Sequence, residues 1–149
     1  MYDLIDRPVE RLGQGSRFIL WAMRAWVTGI GKGQCPTVVL SPGFARMGLL
    51  RALPDFHMAM ALLNRDALEK LHFAPMAACR IGEDEALLLG LWRDVAHDRR
   101  AAAEAVLNLM IDEDSVALAL AAVGETCRAL TELGYQPCGL AGNGQAARP

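Results

Sequence analysis

The apolar side chains of this chain recur at helical spacing, and this periodicity restricts the fold more than any other feature of the sequence. From residue 112 onward they fall four and three residues apart, which places them along one side of a helix. The members of this seam are Val116, Leu120, Val123, Cys127 and Leu130. Only "TVVL" at residues 37–40 is strand-like, and a single strand without a partner is not stable. The pattern therefore predicts an all-α protein.

Capping residues, glycines and prolines divide the chain into predicted helices joined by short loops. Ser16 and Asp98 are typical N-caps, and Pro42-Gly43 is expected to end the second helix. The predicted helices cover residues 17–29, 36–41, 47–64 with a division near Pro54, 83–97, 99–111 and 112–133. Together they predict a single-domain helical bundle of five to six helices. Its parts are an irregular N-terminal arm (1–15), the helical domain (16–137) and a flexible C-terminal tail (138–149).

The bulk composition indicates where the protein works and what it associates with. An apolar fraction of 53% in 149 residues is slightly above average, which predicts that a second copy covers part of the surface in a homodimer. Asp3 and Asp6 interrupt any secretory signal after Met1. The most apolar stretch, residues 18–31, is too short to span a bilayer and contains Arg24. We therefore expect a cytoplasmic protein with reduced cysteines and no membrane partner.

Charge is distributed unevenly along the chain. Residues 11–54 contain six basic side chains and no acidic one, whereas acidic residues outnumber basic ones from Met76 onward. One interpretation is that the two halves attract each other in the fold. The other is an anion-binding or nucleic-acid-binding surface on the first helix, with Arg17, Arg24 and Lys32 as candidates. Because Arg17 and Arg24 are seven residues apart, they share one helix face. A pI of about 5.9 does not favour nucleic acid.

Two patterns resemble ligand-binding motifs but lack their spacing. "TGIGKGQC" at residues 28–35 is not a phosphate-binding loop, because a glycine and not serine or threonine follows Lys32. The histidines do not fall at metal-ligand spacing with other ligating residues. They are His57, His72 and His97. No metal or other cofactor is therefore predicted.

The junction before residue 83 holds the strongest chemical candidates, Cys79 and Arg80. A thiol that lies near a helix N-terminus and beside arginine has a lowered pKa and is more nucleophilic. The acids at residues 83–85 oppose this effect, and they are expected to be solvated in the first turn, where the helix dipole favours them. No cysteine-enzyme signature surrounds Cys79. A small buried side chain is therefore the alternative interpretation of this cysteine.

The segment around these candidates has the pattern P-x-x-x-C-R-x-x-x-D-E-x-x-L-L. It is formed by Pro75, Cys79, Arg80, Asp84, Glu85, Leu88 and Leu89. The pattern resembles a motif of small bacterial helical proteins of unknown function, and the order of elements over about residues 16–137 is similar as well. The resemblance implies no known activity, so it transfers no functional residues. This chain has one cysteine in the motif where such proteins can carry several, which argues against a redox or metal role.

Three hypotheses of function follow from these observations. The first is a non-enzymatic protein that acts through self-association, as a homodimer, or through a protein partner. The second is a thiol-dependent enzyme or redox sensor that uses Cys79. The third is anion or nucleic-acid binding through the basic first helix.

Overall fold

Six α-helices make up the structure, a computed structural model that describes residues 4–137. They are α1 (Gln14–Gly31), α2 (Pro36–Arg46), α3 (Leu53–Arg65), α4 (Glu83–Ala96), α5 (Arg100–Met110) and α6 (Glu113–Glu132). Short 3₁₀ turns precede α1 and α3, at Val9–Arg11 and Leu50–Ala52. No strand occurs within the described range. The predicted all-α fold is confirmed. None of the helices in this range is long and apolar enough to cross a membrane.

The longest helix, α6, lies against α3, α4 and α5, while α1 packs on α2 and also touches α4. A run of aromatic side chains connects these elements through the core. Phe18 meets Phe44 with ring centroids 4.9 Å apart, and Phe44 meets Phe56 at 5.5 Å. Phe56 then stacks on Trp92 at 5.7 Å. The run joins α1, α2, α3 and α4, and its area burial supplies a large part of the hydrophobic stabilisation.

The second helix is longer than predicted. Pro42-Gly43 was expected to end it, but α2 continues to Arg46 with Pro42 inside. Pro42 and Val38 are both exposed residues. Proline has no N–H group, so the carbonyl of Val38 lacks its usual partner within the helix. Gly43 is required by packing, since a Cβ there would lie 2.2 Å from Cη2 of Trp21. The glycine therefore lets α2 approach α1 and does not end the helix.

Helix starts also differ from the predicted caps. α1 begins after Gly13, so Ser16 is buried inside the first turns and is not the N-cap. The N-cap of α5 is Arg99, and Asp98 precedes it with a positive φ of 61°. The division near Pro54 is confirmed, because α3 begins at Leu53, but the residues before it form only a 3₁₀ turn.

The N-terminal segment, residues 4–12, lies along residues 79–81. The N–H of Asp6 donates to the carbonyl of Ile81 (2.8 Å), and the N–H of Ile81 donates to that of Arg7 (2.9 Å). Leu4 and Leu12 are each 1% exposed, so both anchor the segment in the core. The segment is irregular, as predicted, but it is packed on the domain. The predicted tail at residues 138–149 is outside the described residues.

Candidate functional site

A buried ion pair between Arg24 of α1 and Glu85 of α4 organises the region of the Cys-Arg motif. Nε of Arg24 donates to Oε2 of Glu85 at 2.7 Å, and Nη2 donates to Oε1 at 2.9 Å. The side chains are 3% and 0% exposed. This two-pronged geometry is the strong form of an arginine–carboxylate pair. It fixes α1 relative to the start of α4.

Arg24 also holds the chain that precedes α4. Its Nη1 donates to the carbonyl of Ala78 at 2.8 Å, and its Nη2 donates to the carbonyl of Arg80 at 2.9 Å. Between these two, the carbonyl of Cys79 accepts the N–H of Val9 at 2.7 Å. The carbonyls of residues 78, 79 and 80 are therefore all hydrogen-bonded, and these bonds fix the main chain at Cys79.

Glu85 corrects the expectation that the acids at residues 83–85 are solvated. Its Oε1 accepts the N–H of Gly82 at 2.8 Å, which is one half of a capping box, and its Oε2 accepts the N–H of Ala74 at 2.9 Å. Burial by itself raises the pKa of Glu85. The hydrogen bonds from Arg24, Gly82 and Ala74 outweigh burial and hold this pKa below its ordinary value. Glu85 is therefore an ionised internal anchor.

A surface pocket of about 460 Å³ lies where the N-terminal segment meets this anchored chain. We call it the Cys79 pocket, and it is lined by Pro8, Val9, Glu10, Arg17, Ala78, Cys79 and Arg80. The structure thus brings together three of the predicted candidates, Arg17, Cys79 and Arg80. The Cys79 thiol is free and exposed, so the alternative of a buried small side chain is wrong.

The two arginines of the Cys79 pocket are held by main-chain carbonyls. Nη2 of Arg17 donates to the carbonyl of Glu10 at 2.9 Å, and Nη1 of Arg80 donates to the carbonyl of Asp6 at 2.9 Å. A guanidinium has five N–H donors, so both retain donors for a ligand. Glu10, an exposed acidic residue, also lines the pocket, and its charge offsets part of the positive charge.

The other two anion-binding candidates do not join this pocket. Arg24 is buried and all its nitrogen atoms bind Glu85 or main-chain carbonyls, so an external anion cannot reach it. Arg24 binds the carbonyls of residues 78 and 80, whereas Arg17 binds those of Glu10 and Leu12. Lys32 caps the other end of α1, roughly 22 Å along the helix from Arg17. The three basic residues therefore do not form one surface.

Sequence reasoning overlooked Cys35, which lies directly before α2. A hydrogen bond with Oγ1 of Thr37, followed by one from the N–H of Val38, lowers the pKa of Cys35. The Sγ–Oγ1 distance is 3.1 Å, and the thiol is exposed. Cysteine at the N-cap, followed by Pro36 at the first helical position, was the available signal.

Cys127, in contrast to Cys35, has a buried thiol. It is 3% exposed in the seam of α6, as its spacing predicted. Burial raises its pKa to about 12. Its only hydrogen-bond partner among the described residues is the carbonyl of Trp92, at 3.5 Å. Cys138 is outside the described residues.

The three histidines lie at separate places. His57 accepts the indole N–H of Trp26 at Nδ1 (3.0 Å), and His72 lies 3.5 Å from the carboxylate of Asp84. His97 contacts the carbonyl of Pro137 through Nε2 (3.1 Å). Within residues 4–137, no three His, Cys, Asp or Glu side chains come together in a way that would hold a metal ion.

The Arg24–Glu85 pair yields a stability prediction. We expect Glu85→Gln to lower the free energy of unfolding by about 3–5 kcal/mol at pH 7, because it leaves the Arg24 charge buried without its counterion. Arg24→Met is expected to cost a similar amount, and the double variant to cost less than the sum of the two. Urea unfolding followed by circular dichroism measures these values.

Two comparisons test the origin of this effect. Arg51→Met, which breaks the exposed pair with Glu132, should cost at most about 1 kcal/mol. Because the folded-state pKa of Glu85 is depressed, its contribution is complete above the ordinary pKa of 4.5 and is lost as the pH falls through the lower value. The gap between wild type and Glu85→Gln should therefore narrow in acid. A gap that is constant between pH 7 and pH 3 would contradict the ion pair as its source.

The thiol environments predict an order of reactivity. Limiting iodoacetamide at neutral pH should alkylate Cys35 faster than Cys127, which should react only after unfolding, because its thiol is buried and its pKa is about 12. Thr37→Val should slow the alkylation of Cys35, since it removes the hydroxyl that stabilises the thiolate. Peptide mass spectrometry over a time course measures each rate. Equal rates at Cys35 and Cys127 in the native protein would refute the prediction.

Comparison with known proteins identifies no relative that would assign a function to this site. No family model matches the chain, no curated protein matches it, and no solved structure matches it. The resemblance around the Pro-x-x-x-Cys-Arg motif therefore stays a prediction.

Proposed function

We propose that this protein binds a small anionic ligand in the Cys79 pocket, as a non-enzymatic binding protein of the cytoplasm. The observation that carries the proposal is the convergence of Arg17 and Arg80 on one pocket. Arg17 comes from the first turn of α1, whereas Arg80 comes from the segment before α4. Two positive side chains from distant parts of the chain, with one carboxylate at Glu10, favour an anion over a cation or a neutral ligand.

The chemistry of the two arginines limits the class of ligand. Each guanidinium is planar and can present two parallel N–H groups to a carboxylate or phosphate. Each also uses one terminal nitrogen on a main-chain carbonyl, which fixes its position before a ligand arrives. Because the segment 78–80 is held by Arg24, little ordering is required on binding. A pocket of this volume suits a small molecule.

Protection of Cys79 against a neutral reagent tests this proposal. Citrate is expected to slow the alkylation of Cys79 by iodoacetamide, because a bound anion covers the thiol. With a dissociation constant on the order of 1 mM, citrate at ten times that concentration should slow the reaction about tenfold. Arg17→Gln and Arg80→Gln should each weaken the protection by roughly two- to fivefold, since each removes one exposed charge. Rates come from peptide mass spectrometry, with ionic strength matched by sodium chloride.

Lys32→Gln is the matched control, because Lys32 is basic and exposed but lies at the far end of α1. It should leave the protection of Cys79 unchanged. Citrate that protects Cys35 as strongly as Cys79 would reveal a general effect on thiols and overturn the proposal. Protection that is undiminished in both arginine variants would overturn it as well.

Self-association as a homodimer is a second candidate, and the outer face of α5 favours it. Leu109 is 80% exposed, and the exposed Ala102 and Ala105 precede it by seven and four residues on the same face. Arg100 begins the helix, while Glu113 and Asp114 follow its end. Antiparallel pairing with a second copy about a two-fold axis would place the basic start of each α5 beside the acidic residues that follow the other. The apolar face would then be covered.

Light scattering coupled to size-exclusion chromatography tests the homodimer at tens of micromolar protein. We expect the mass of a dimer for the wild-type protein and of a monomer for Leu109→Glu, because the charge would be buried in the interface. Leu50→Glu, at another exposed leucine, should remain dimeric. A monomeric wild-type protein would exclude this candidate.

A further inference from the structure

We infer that the ligands of the Cys79 pocket include small disulfides that bear carboxylate groups, and that these form a mixed disulfide with Cys79. This inference rests on the proposed anion binding and adds a covalent step to it. The pocket is lined by an exposed cysteine and by two arginines, Arg17 and Arg80. The juxtaposition gives a binding contact and a reactive atom to the same small molecule.

The main chain that carries the Cys79 thiol is held in place at the cavity. The carbonyls of Ala78 and Arg80 are bound by Arg24, and the carbonyl of Cys79 is bound by the N–H of Val9. A ligand held by the arginines therefore lies beside a cysteine whose main chain is held by hydrogen bonds. Such fixed proximity raises the rate of a reaction between two groups in one site.

Arg17 and Arg80 select for the carboxylates of the disulfide. Each offers unused N–H donors at the pocket, and paired N–H groups match the two oxygens of a carboxylate. Pro8 and Val9 supply an apolar wall against which the short carbon chain beside the sulfur atoms can lie. The carboxylate of Glu10 repels a second negative group near it, so ligands with well-separated charges are favoured.

The reaction is a thiol–disulfide exchange and needs no other reactant. Cys79 loses its proton to water, and the thiolate attacks one sulfur atom of the ligand disulfide. The new bond joins Sγ of Cys79 to that sulfur, and the old disulfide bond breaks with its electron pair on the second sulfur. That sulfur leaves as a thiolate and takes up a proton. Cys79 is oxidised and one half of the ligand is reduced, and an excess of small thiol reverses the step.

The experiment compares an anionic disulfide with a cationic one on the full chain. The probes are oxidised glutathione, which carries carboxylates, and cystamine, which carries only amines. Cys35→Ser and Cys138→Ser are introduced together so that Cys79 is the accessible thiol, since Cys127 is buried. Intact-protein mass spectrometry at neutral pH measures the rate of each adduct. Reversal by dithiothreitol confirms that the adduct is a disulfide.

We expect Cys79 to form the glutathione adduct, and the glutathione-to-cystamine rate ratio to fall by roughly two- to fivefold in Arg17→Gln and in Arg80→Gln. Lys32→Gln should leave the ratio unchanged. Cys79→Ser should abolish the adduct. The inference is overturned if Cys79 forms no glutathione adduct, or if the ratio is the same in wild type and both arginine variants.

The outcome separates this inference from the proposed function. If citrate protects Cys79 from iodoacetamide but oxidised glutathione forms no adduct, the pocket binds anions and the covalent step is wrong. If citrate gives no protection and the rate ratio does not depend on Arg17 or Arg80, both proposals are wrong.

Discussion

The buried pair of Arg24 and Glu85 is the interaction on which the rest of this structure depends. An isolated charge of either sign would be very costly in this position. The pair is tolerated because each side-chain nitrogen of Arg24 and each carboxylate oxygen of Glu85 has a hydrogen-bond partner. Glu85 accepts from Arg24 and from two main-chain N–H groups, while Arg24 also donates to two carbonyls. The pair therefore stabilises the first and fourth helices and the long connection between them at once. Such a network specifies a unique arrangement more strongly than apolar packing does.

The candidate site is a consequence of this network. The N-terminal segment forms main-chain hydrogen bonds with residues 79–81. This pairing is possible because Arg24 holds the main chain of that stretch in place. Docking in turn brings Glu10 and the beginning of α1 beside Cys79. The side chains that face solvent at this place are thus supported by a layer of buried hydrogen bonds. A site built in this way has a defined shape.

The three described cysteines show how strongly the surroundings determine the chemistry of a thiol. Cys35 has its thiolate stabilised at the start of a helix, whereas Cys127 has its thiolate disfavoured by burial. Cys79 is distinguished by its neighbours, since Arg17 and Arg80 line its pocket. From the sequence, Cys79 was the candidate reactive thiol because an arginine follows it. The sequence did not indicate Cys35, because the hydroxyl and the N–H group that stabilise its thiolate come close to it only in the folded protein.

The sequence alone determined the helical architecture, the approximate helix positions and the burial of the α6 seam. These features depend on local periodicity and on residues a few positions apart, which a sequence displays directly. The tertiary structure decided the roles of the charged residues. Arg24 and Arg17 are equivalent by periodicity, yet one is buried against Glu85 and the other lines a pocket. Their partners are distant in sequence, and only the packing of α1 on the start of α4 determines which charge is desolvated and which remains at the surface.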